Sequence, residues 1–217
     1  MSILNAILQL FFPEYCENCG RAGPGLCLEC LSEAPSPEPL AGGWIFSFYD
    51  YRVEKVRKAV WFLKYQNRKS VAVSFAEAMY GGIWEELSDR LFLSNFRSPL
   101  LLPVPISEKR RRERGYNQAE LLCRELEKIS GGVLRTETGI LQKRTETEHQ
   151  ARITGQERRL ANVLGTFFIK DSEKPKIRGR NFILIDDVVT TGATLSEAKK
   201  VLETAGARRV IAFTLAH

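Results

Sequence analysis

The residues with the clearest chemical signature lie between positions 182 and 194. An apolar run, typical of a buried strand, ends in Asp186 and Asp187, and threonines around Gly192 then lead into a predicted helix. Such a strand would deliver both carboxylates to the carboxyl edge of a sheet. The first N–H groups of the helix lack intrahelical partners and suit a phosphate. The sequence therefore predicts an anion site beside carboxylates that can bind a ribose diol and assist a magnesium ion.

A purely structural alternative exists for this segment. The threonines would only cap the helix, and the aspartates would only end the strand. That alternative does not require two adjacent carboxylates together with Thr190, Thr191 and Thr194, so it explains less of the pattern.

A second candidate anion site follows the apolar run 99–104. Five of the ten residues 109–118 are basic, and the segment passes through Arg114 and Gly115 into a predicted helix. We interpret it as a basic loop whose arginines suit a diphosphate. A cluster of solvated surface charges explains residues 109–112 equally well.

Four of the five cysteines form two C-x2-C pairs within fifteen residues. They are Cys16, Cys19, Cys27 and Cys30. Paired thiolates at this spacing close tetrahedrally on one zinc ion, and the glycines between the pairs permit the tight turns. Two disulfides are the alternative, but nothing marks the chain as secreted. Cys123 lies in an apolar helical pattern, which favours a buried side chain over a nucleophile.

Length and composition place the chain among globular proteins of one main domain with a small appendage. Of the 217 residues, 44% are apolar and 27% are charged, and 16 glycines and 9 prolines are too few for a collagen-like or disordered chain. The early apolar run 3–12 is interrupted by Asn5 and Gln9 and ended by Pro13. It is too short to span a bilayer, and it lacks the flanks of a secretory signal. We therefore expect a cytoplasmic protein without a membrane span.

The net charge of +6 is unevenly distributed. Residues 101–181 carry 18 basic and 11 acidic side chains, a net of +7, whereas residues 1–40 carry one basic and five acidic. A positive field of this kind attracts a phosphorylated small molecule or a nucleic-acid backbone. An ordinary solvated surface is the alternative.

Periodicity predicts an α/β fold. The expected strands cover residues 44–51, 99–104, 133–141, 166–170, 182–185 and 209–215, and the expected helices cover residues 53–65, 71–87, 116–129, 158–163 and 194–205. The second helix is expected to be weakened or bent at Gly81 and Gly82. Alternating strands and helices imply a mostly parallel sheet with helices on both faces. A proline-rich linker divides the chain into residues 1–40, with an N-terminal helix and a zinc knuckle or ribbon, and the main domain 41–217.

The segment 182–194 resembles the signature of the type I phosphoribosyltransferases, which use 5-phosphoribosyl-1-diphosphate (PRPP). In that family the loop holds the 5′-phosphate and the acidic pair holds the ribose, with magnesium. The resemblance assigns PRPP binding to Asp186, Asp187, Val188, Val189, Thr190, Thr191, Gly192, Ala193 and Thr194, and possible magnesium binding to Asp186 and Asp187. It implies a type I phosphoribosyltransferase-like sheet.

Nearly the whole chain is similar to the ComF (ComFC, GntX) group, in which a four-cysteine zinc module precedes this domain. In that group a basic loop follows a short V-P-V-P-like strand, matched here by residues 102–105. The resemblance places the diphosphate side of PRPP at Arg110, Arg114, Gly115, Asn117 and Gln118. It also matches residues 63–65, where Lys64 contacts a phosphate or is an ordinary helix-surface lysine.

The resemblance further implies a mobile lid over PRPP, with Arg144, Thr147 and Gln150 as its motif residues. Glu148 and His149 stand where prolines are expected in many relatives, which predicts a more flexible lid. His149 is a candidate general acid, although a lone loop histidine is more often solvated. No catalytic residue is assigned.

The resemblance implies a PRPP-binding protein of natural competence that handles single-stranded DNA, with a competence helicase or other DNA-uptake proteins as partners. Trp61 and Tyr116 would then stack on bases, or belong to the core. The alternative is an active phosphoribosyltransferase with an unknown small-molecule acceptor. A third hypothesis is a PRPP sensor or scaffold without turnover.

Overall fold

A computed structural model describes residues 14–66, 70–144 and 165–217. The helices are α1 (Leu28–Ser32), α2 (Glu54–Tyr65), α3 (Ser70–Ser94), α4 (Glu108–Arg114), α5 (Gln118–Ile129) and α6 (Ala193–Thr204). The strands are β1 (Ile45–Tyr49), β2 (Leu100–Pro103), β3 (Arg135–Thr136), β4 (Gln142–Lys143), β5 (Phe167–Phe168), β6 (Asn181–Val188) and β7 (Arg209–Ala216). A 3-10 helix covers Asp171–Lys176. The N-terminal helix predicted before the cysteines and the helix predicted over 158–163 lie outside the described residues.

The five strands of the main sheet lie in the order β1-β7-β6-β2-β3, and every neighbouring pair is parallel. Strands β4 and β5 form a separate antiparallel pair. The strands β2, β6 and β7 are buried along most of their length because helices cover both faces. The predicted fold class is confirmed.

Alternation along β6 assigns its side chains to two cores. Ile183 and Ile185 pack with α2, α3 and α5, whereas Phe182 and Leu184 pack with α6. The four-cysteine segment joins the first core through Leu26 and Leu31, among others. The boundary predicted at residue 40 stays a prediction.

Several local predictions differ from the structure. The basic loop contains helix α4, because Ser107 caps it by accepting from the N–H of Arg110 and Gly115 ends it in the left-handed conformation. Helix α3 continues through Gly81 and Gly82. A Cβ at Gly82 would lie 2.6 Å from Cε1 of Phe48, so close packing rather than a bend accounts for that glycine.

The strands predicted over 133–141 and 166–170 are shorter in the structure, where only the two-residue strands β3 and β5 form. Gly139, with φ of +87°, turns the chain away after β3. By contrast, β6 is longer than predicted, because it extends beyond residue 185 through both aspartates to Val188. Among the described helices, none has the length and apolarity needed to cross a membrane.

Candidate functional site

Asp186 and Asp187 lie at the carboxyl end of β6, next to β7. Successive side chains of a strand point to opposite faces, so the two carboxylates face different sides of the sheet. Asp187 is on the α2 side, where its Oδ1 lies 3.1 Å from Nζ of Lys64. The two side chains are only 14% and 18% exposed. Lys64 is therefore part of this site rather than an ordinary helix-surface lysine.

The carboxyl group of Asp186 is a weaker acid than an ordinary aspartate. Burial, followed by the negative charge of Asp187, raises the pKa of Asp186 to about 7. The N–H of Asp187 donates to Oδ1 of Asp186 at 2.8 Å, and the positive charges of Lys64 and Lys143 also oppose the rise. A carboxyl group with a raised pKa gains from any ligand that brings positive charge or hydroxyl donors to it.

The loop that follows the aspartates holds an open helix N-terminus. The N–H of Val189 donates to the carbonyl of Ala216 at 3.0 Å, which ties the loop to β7. Gly192 is the N-cap of α6, with φ of +74° and no side chain to offer the helix. Within this loop, Thr191 Oγ1 accepts from the N–H of Ala193 at 3.4 Å. Exposed threonine hydroxyls at 190, 191 and 194 and backbone N–H groups thus converge where a phosphate can bind.

Four of the five predicted diphosphate residues, all except Arg110, lie together between the end of α4 and the start of α5. One terminal nitrogen of Arg114 donates to Oε1 of Gln118 at 2.9 Å, and the other donates to the hydroxyl of Tyr65 at 3.2 Å. Gly115 adopts a left-handed conformation with φ of +77°. Asn117 caps α5 and donates through Nδ2 to the carbonyl of Val104 at 3.0 Å, so it orients the segment.

Helix α2 joins the two predicted anion sites. Its Lys64 contacts Asp187, and the next residue, Tyr65, contacts Arg114. The Arg114 guanidinium also lies 5.0 Å from the centroid of the Tyr65 ring. Sequence reasoning missed Tyr65 as a site residue, although it stands in the matched segment 63–65.

Buried hydrogen-bond donors without partners point to an anion here. In the part of the chain that the structure describes, five buried side-chain atoms lack a partner, and three of them are Nε of Arg114, Nε2 of Gln118 and Nε of Arg144. Arg114 and Gln118 are predicted diphosphate residues, and Arg144 is a predicted lid residue. An unsatisfied buried donor costs about 1 to 3 kcal/mol, so a ligand oxygen at each would be stabilising.

Outside this group, the basic side chains of α4 are exposed. Arg112 pairs with Glu108 at 3.1 Å, and Arg111 lies 4.0 Å from Glu120. Arg110 is exposed and, among the described residues, contacts no carboxylate. It therefore does not share the half-buried environment of Arg114.

Two aromatic rings on α2 are exposed. Trp61 is 46% and Tyr65 is 58% exposed, and their ring centroids are 6.1 Å apart on α2. Tyr116 is half-buried, and its hydroxyl donates to the carbonyl of Leu63 at 2.7 Å. Tyr116 therefore supports α2, whereas Trp61 and Tyr65 present an accessible aromatic face.

The four cysteines form a compact cluster. All four Sγ atoms lie within 4.8 Å of one another, with Cys16 to Cys30 at 3.8 Å and Cys19 to Cys27 at 3.7 Å. A zinc ion with ligands at about 2.3 Å in a tetrahedron separates its sulfurs by about 3.8 Å. All five cysteines are free of disulfides. The cluster has the donor set and spacing to hold a metal such as zinc.

The sulfurs of the cluster affect one another's ionisation. Although burial opposes it, the N–H of Cys27 and nearby groups donate hydrogen bonds that lower the pKa of Cys16 to about 6. The Asn18 amide donates to Cys30 at 3.2 Å, but burial and the other three sulfurs raise the pKa of Cys30 to about 12. Neighbouring thiolates repel, and a bound cation would relieve that repulsion. Cys123, by contrast, is fully buried, and burial raises its pKa.

Comparison with known proteins identifies the domain and the family. The model of the phosphoribosyl transferase domain matches residues 114–217. The DNA utilization protein YhgH of Salmonella typhi is 30% identical over 198 residues, covering 90% of this chain and 80% of the relative. Competence protein F of Haemophilus influenzae is 28% identical over 209 residues, covering 94% and 85%. The chain belongs to the ComF family. Competence protein ComFC of Bacillus subtilis is 38% identical over 117 residues, 54% of this chain and 43% of the relative.

Most of the ComF motif residues meet at one edge of the sheet. The acidic pair, the 190–194 loop and the group around Arg114 lie at the carboxyl ends of β6 and β2. Arg144 follows β4, with its guanidinium 5.0 Å from the Phe168 ring centroid and its N–H bonded to the carbonyl of Thr166. The other lid residues, Thr147 and Gln150, and the candidate acid His149 lie outside the described residues.

Proposed function

We propose that this ComF-family chain binds PRPP with magnesium at the carboxyl edge of its sheet and acts in the cytoplasm on single-stranded DNA during natural competence. A phosphoribosyl transferase domain and relatives named for competence and DNA utilization support the competence role.

The observation that carries PRPP binding is the pair of buried, unpartnered donors on Arg114 and Gln118. They lie on the group that α2 connects to Asp187 through Lys64 and Tyr65. Fixed donors beside a helix N-terminus and a carboxylate pair match a ligand with two separate phosphate groups and a diol between them. PRPP has this arrangement.

In this proposal, each group of residues binds a different part of PRPP. The N–H groups and threonines at 190–194 bind the 5′-phosphate, Asp186 and Asp187 accept hydrogen bonds from the ribose hydroxyls, and Arg114 and Gln118 bind the diphosphate. If the chain turns PRPP over, an acceptor forms a bond to C1 as the bond from C1 to the diphosphate breaks; the carboxylates would stabilise the positive charge on the ring and Arg114 the departing diphosphate. Magnesium, held by the carboxylates and the ligand's own oxygens, would neutralise part of the diphosphate charge.

Arg114 and Arg112 provide a matched test. Both are on α4, but Arg114 is half-buried at the site whereas Arg112 is exposed and paired with Glu108. Arg114→Gln should lower the calorimetric affinity for PRPP with magnesium about ten-fold or more, since a hydrogen bond to a charged group contributes about 1.5 to 3 kcal/mol. Arg112→Gln should have little effect. Equal losses in both variants would contradict the assignment.

The exposed aromatic face supports the DNA-handling part of the proposal. Tyr65 contacts Arg114 at the end of α4, and Trp61 lies beside Tyr65 on α2. The exposed arginines of α4 precede Arg114 on the same helix. Aromatic rings that stack on bases, next to cations that contact phosphates, are typical of surfaces that bind single strands without sequence preference. A competence helicase or another DNA-uptake protein would deliver or receive the strand.

Salt dependence separates stacking from charge at this face. Replacing Arg110, Arg111 and Arg112 by Ala should flatten the dependence of log affinity for a labelled dT20 on log salt by about three contacts of 0.7 each. Trp61→Ala should lower the affinity about five-fold or more at any salt, because stacking contributes about 1 to 3 kcal/mol per base. Trp61→Phe should retain most of the binding. Absence of dT20 binding to the wild-type protein at about 50 mM salt would refute direct DNA handling.

Two other functions share the PRPP site. In one, the protein is an active transferase whose acceptor stacks on the aromatic face; in the other, it senses PRPP without turnover. Release of diphosphate in the presence of dT20 or of free bases distinguishes them. Acceptor-dependent release establishes a transferase, whereas PRPP binding with no release favours the sensor.

We propose a structural zinc ion on Cys16, Cys19, Cys27 and Cys30. The sulfur spacing supports this assignment. Metal analysis of protein purified under reducing conditions should find about one zinc per chain, and Cys16→Ser with Cys30→Ser should lose it. Cys123→Ser is the control, since that buried thiol is not one of the four clustered sulfurs. Two disulfides and no metal would contradict the proposal.

A further inference from the structure

The amino edge of the sheet, opposite the candidate PRPP site, carries a cleft lined by arginines. Its volume is about 390 Å³, and its lining includes Asn95, Arg97, Ser98, Arg180, Asn181 and Arg208. The three arginines come from separate segments that precede β2, β6 and β7. Because the strands are parallel, their preceding segments meet at one edge.

Within the described residues, the positive charge of this cleft has no carboxylate partner. The arginines are exposed, and among residues 14–66, 70–144 and 165–217 none of the three has a carboxylate within 4.0 Å. Guanidinium groups remain charged at any physiological pH. Three like charges brought to one cleft repel one another, and a bound anion would remove that cost.

Hydrogen bonds join the three segments that form the cleft. Asn181 is 4% exposed, and its Nδ2 donates to the carbonyl of Arg97 at 3.0 Å, which fixes the segment before β2. The N–H of Arg208 donates to the carbonyl of Arg180 at 2.8 Å, which joins the other two segments. The Oδ1 of Asn181 is buried and has no hydrogen-bond partner.

The backbone of the cleft wall adopts an uncommon conformation. Asn95 and Ser98 have φ of +53° and +44°, and they are the only non-glycine residues with positive φ in the described chain. This conformation costs roughly 1 to 2 kcal/mol for most side chains other than glycine, and less for asparagine, whose short side chain adopts it more often. Such strain collects at binding sites, where the surrounding structure maintains it.

We propose that this cleft is a second ligand site, for a nucleotide unit. The arginines bind its phosphate, and the unpartnered Oδ1 of Asn181 accepts a hydrogen bond from an N–H or O–H group of the same ligand. The ligand is a free nucleotide or one unit of a nucleic-acid strand, which share this chemistry. The site is separate from the PRPP site, since the seven steps of β6 from Asn181 to Val188 span about 23 Å.

Two triple variants of the intact protein test the proposal. The cleft variant replaces Arg97, Arg180 and Arg208 by Ala. The control variant replaces Arg135, Arg178 and Arg209 by Ala, which are exposed arginines of the same edge that do not line the cleft. Binding of dTMP is measured by calorimetry, and binding of labelled dT20 by anisotropy, at about 150 mM salt, with PRPP as the third ligand.

The cleft variant should lose about ten-fold or more in affinity for dT20, dTMP or both, and the control variant less than about three-fold. Loss for dT20 alone identifies a strand as the ligand, and loss for dTMP alone identifies a free nucleotide. Unchanged PRPP affinity separates this outcome from the function of the carboxyl edge. Equal losses in the two variants indicate a diffuse basic surface and overturn the proposal, as does a wild-type protein that binds neither dTMP nor dT20.

Discussion

The two edges of the central sheet both carry positive charge, but they hold it differently. At the carboxyl edge Lys64 pairs with Asp187, and Arg114 lies against Tyr65 and Gln118, all largely shielded from solvent except the tyrosine. At the amino edge Arg97, Arg180 and Arg208 are exposed and have no ion pair with described residues. A shielded, hydrogen-bonded group selects a ligand by geometry, whereas exposed charges attract anions in a salt-sensitive way.

The largest expected difference between the edges is in PRPP binding. Asp187→Ala should lower the affinity for PRPP with magnesium by about 1.5 to 3 kcal/mol, because a carboxylate that accepts from the ribose is lost. Asp171→Ala is the control, since Asp171 is 92% exposed on the 3-10 helix and pairs with Lys174. Calorimetry on both variants makes the comparison. Equal affinities for wild type and Asp187→Ala would show that the carboxyl edge does not bind PRPP through this group.

Both edges depend on the packing of α3 against β1, and substitutions at Gly82 and Gly81 test this packing. Gly82→Ala should lower the free energy of unfolding by about 1 to 3 kcal/mol, because the added Cβ would meet the Phe48 ring at 2.6 Å. Gly81→Ala, which meets nothing within 4 Å, should raise it by up to about 1 kcal/mol through helix propensity. Urea unfolding measures both. A neutral Gly82→Ala variant would mean that β1 and α3 are not packed as described.

A third test compares the ion pair of the carboxyl edge with an exposed pair on the same helix. Lys64→Met should destabilise the protein by about 1 to 2 kcal/mol, because it leaves the largely shielded Asp187 without its cation. Lys58→Met should change stability by less than about 0.5 kcal/mol, because Lys58 and Glu54 are both more than half exposed. Thermal or urea unfolding at matched salt gives the two values. Similar values would mean that burial does not distinguish the pairs.

The smallest expected effect is at the amino edge. Arg180→Ala and Arg208→Ala should each change the free energy of unfolding by less than about 0.5 kcal/mol, with any gain largest at low salt, where like charges repel most. Unfolding at about 20 mM and 200 mM salt measures this effect. A loss above about 1 kcal/mol in either variant would assign these arginines to folding rather than to binding.

Local spacing predicted much of the candidate site. The two C-x2-C pairs predicted a four-sulfur cluster, and the strand, acidic pair and threonines of 182–194 predicted a loop that opens into a helix. These features depend on residues close together in the chain, where periodicity and turn residues determine the geometry. Predictions over short polar stretches were weaker. The basic loop is partly helix α4, since Ser107 and Gly115 cap a run of arginines and glutamates, which are good helix formers.

The residue types at each strand end and the apolar faces of the helices can be identified from the amino-acid sequence alone. Which of these residues meet depends on how the chain folds. Lys64 reaches Asp187 because α2 packs on the face of β6 to which odd-numbered residues point, and Arg97, Arg180 and Arg208 converge because three parallel strands begin at one edge. The physical reason is that burying the helices on both faces sets the strand order and register, and these long-range contacts leave no mark in local spacing.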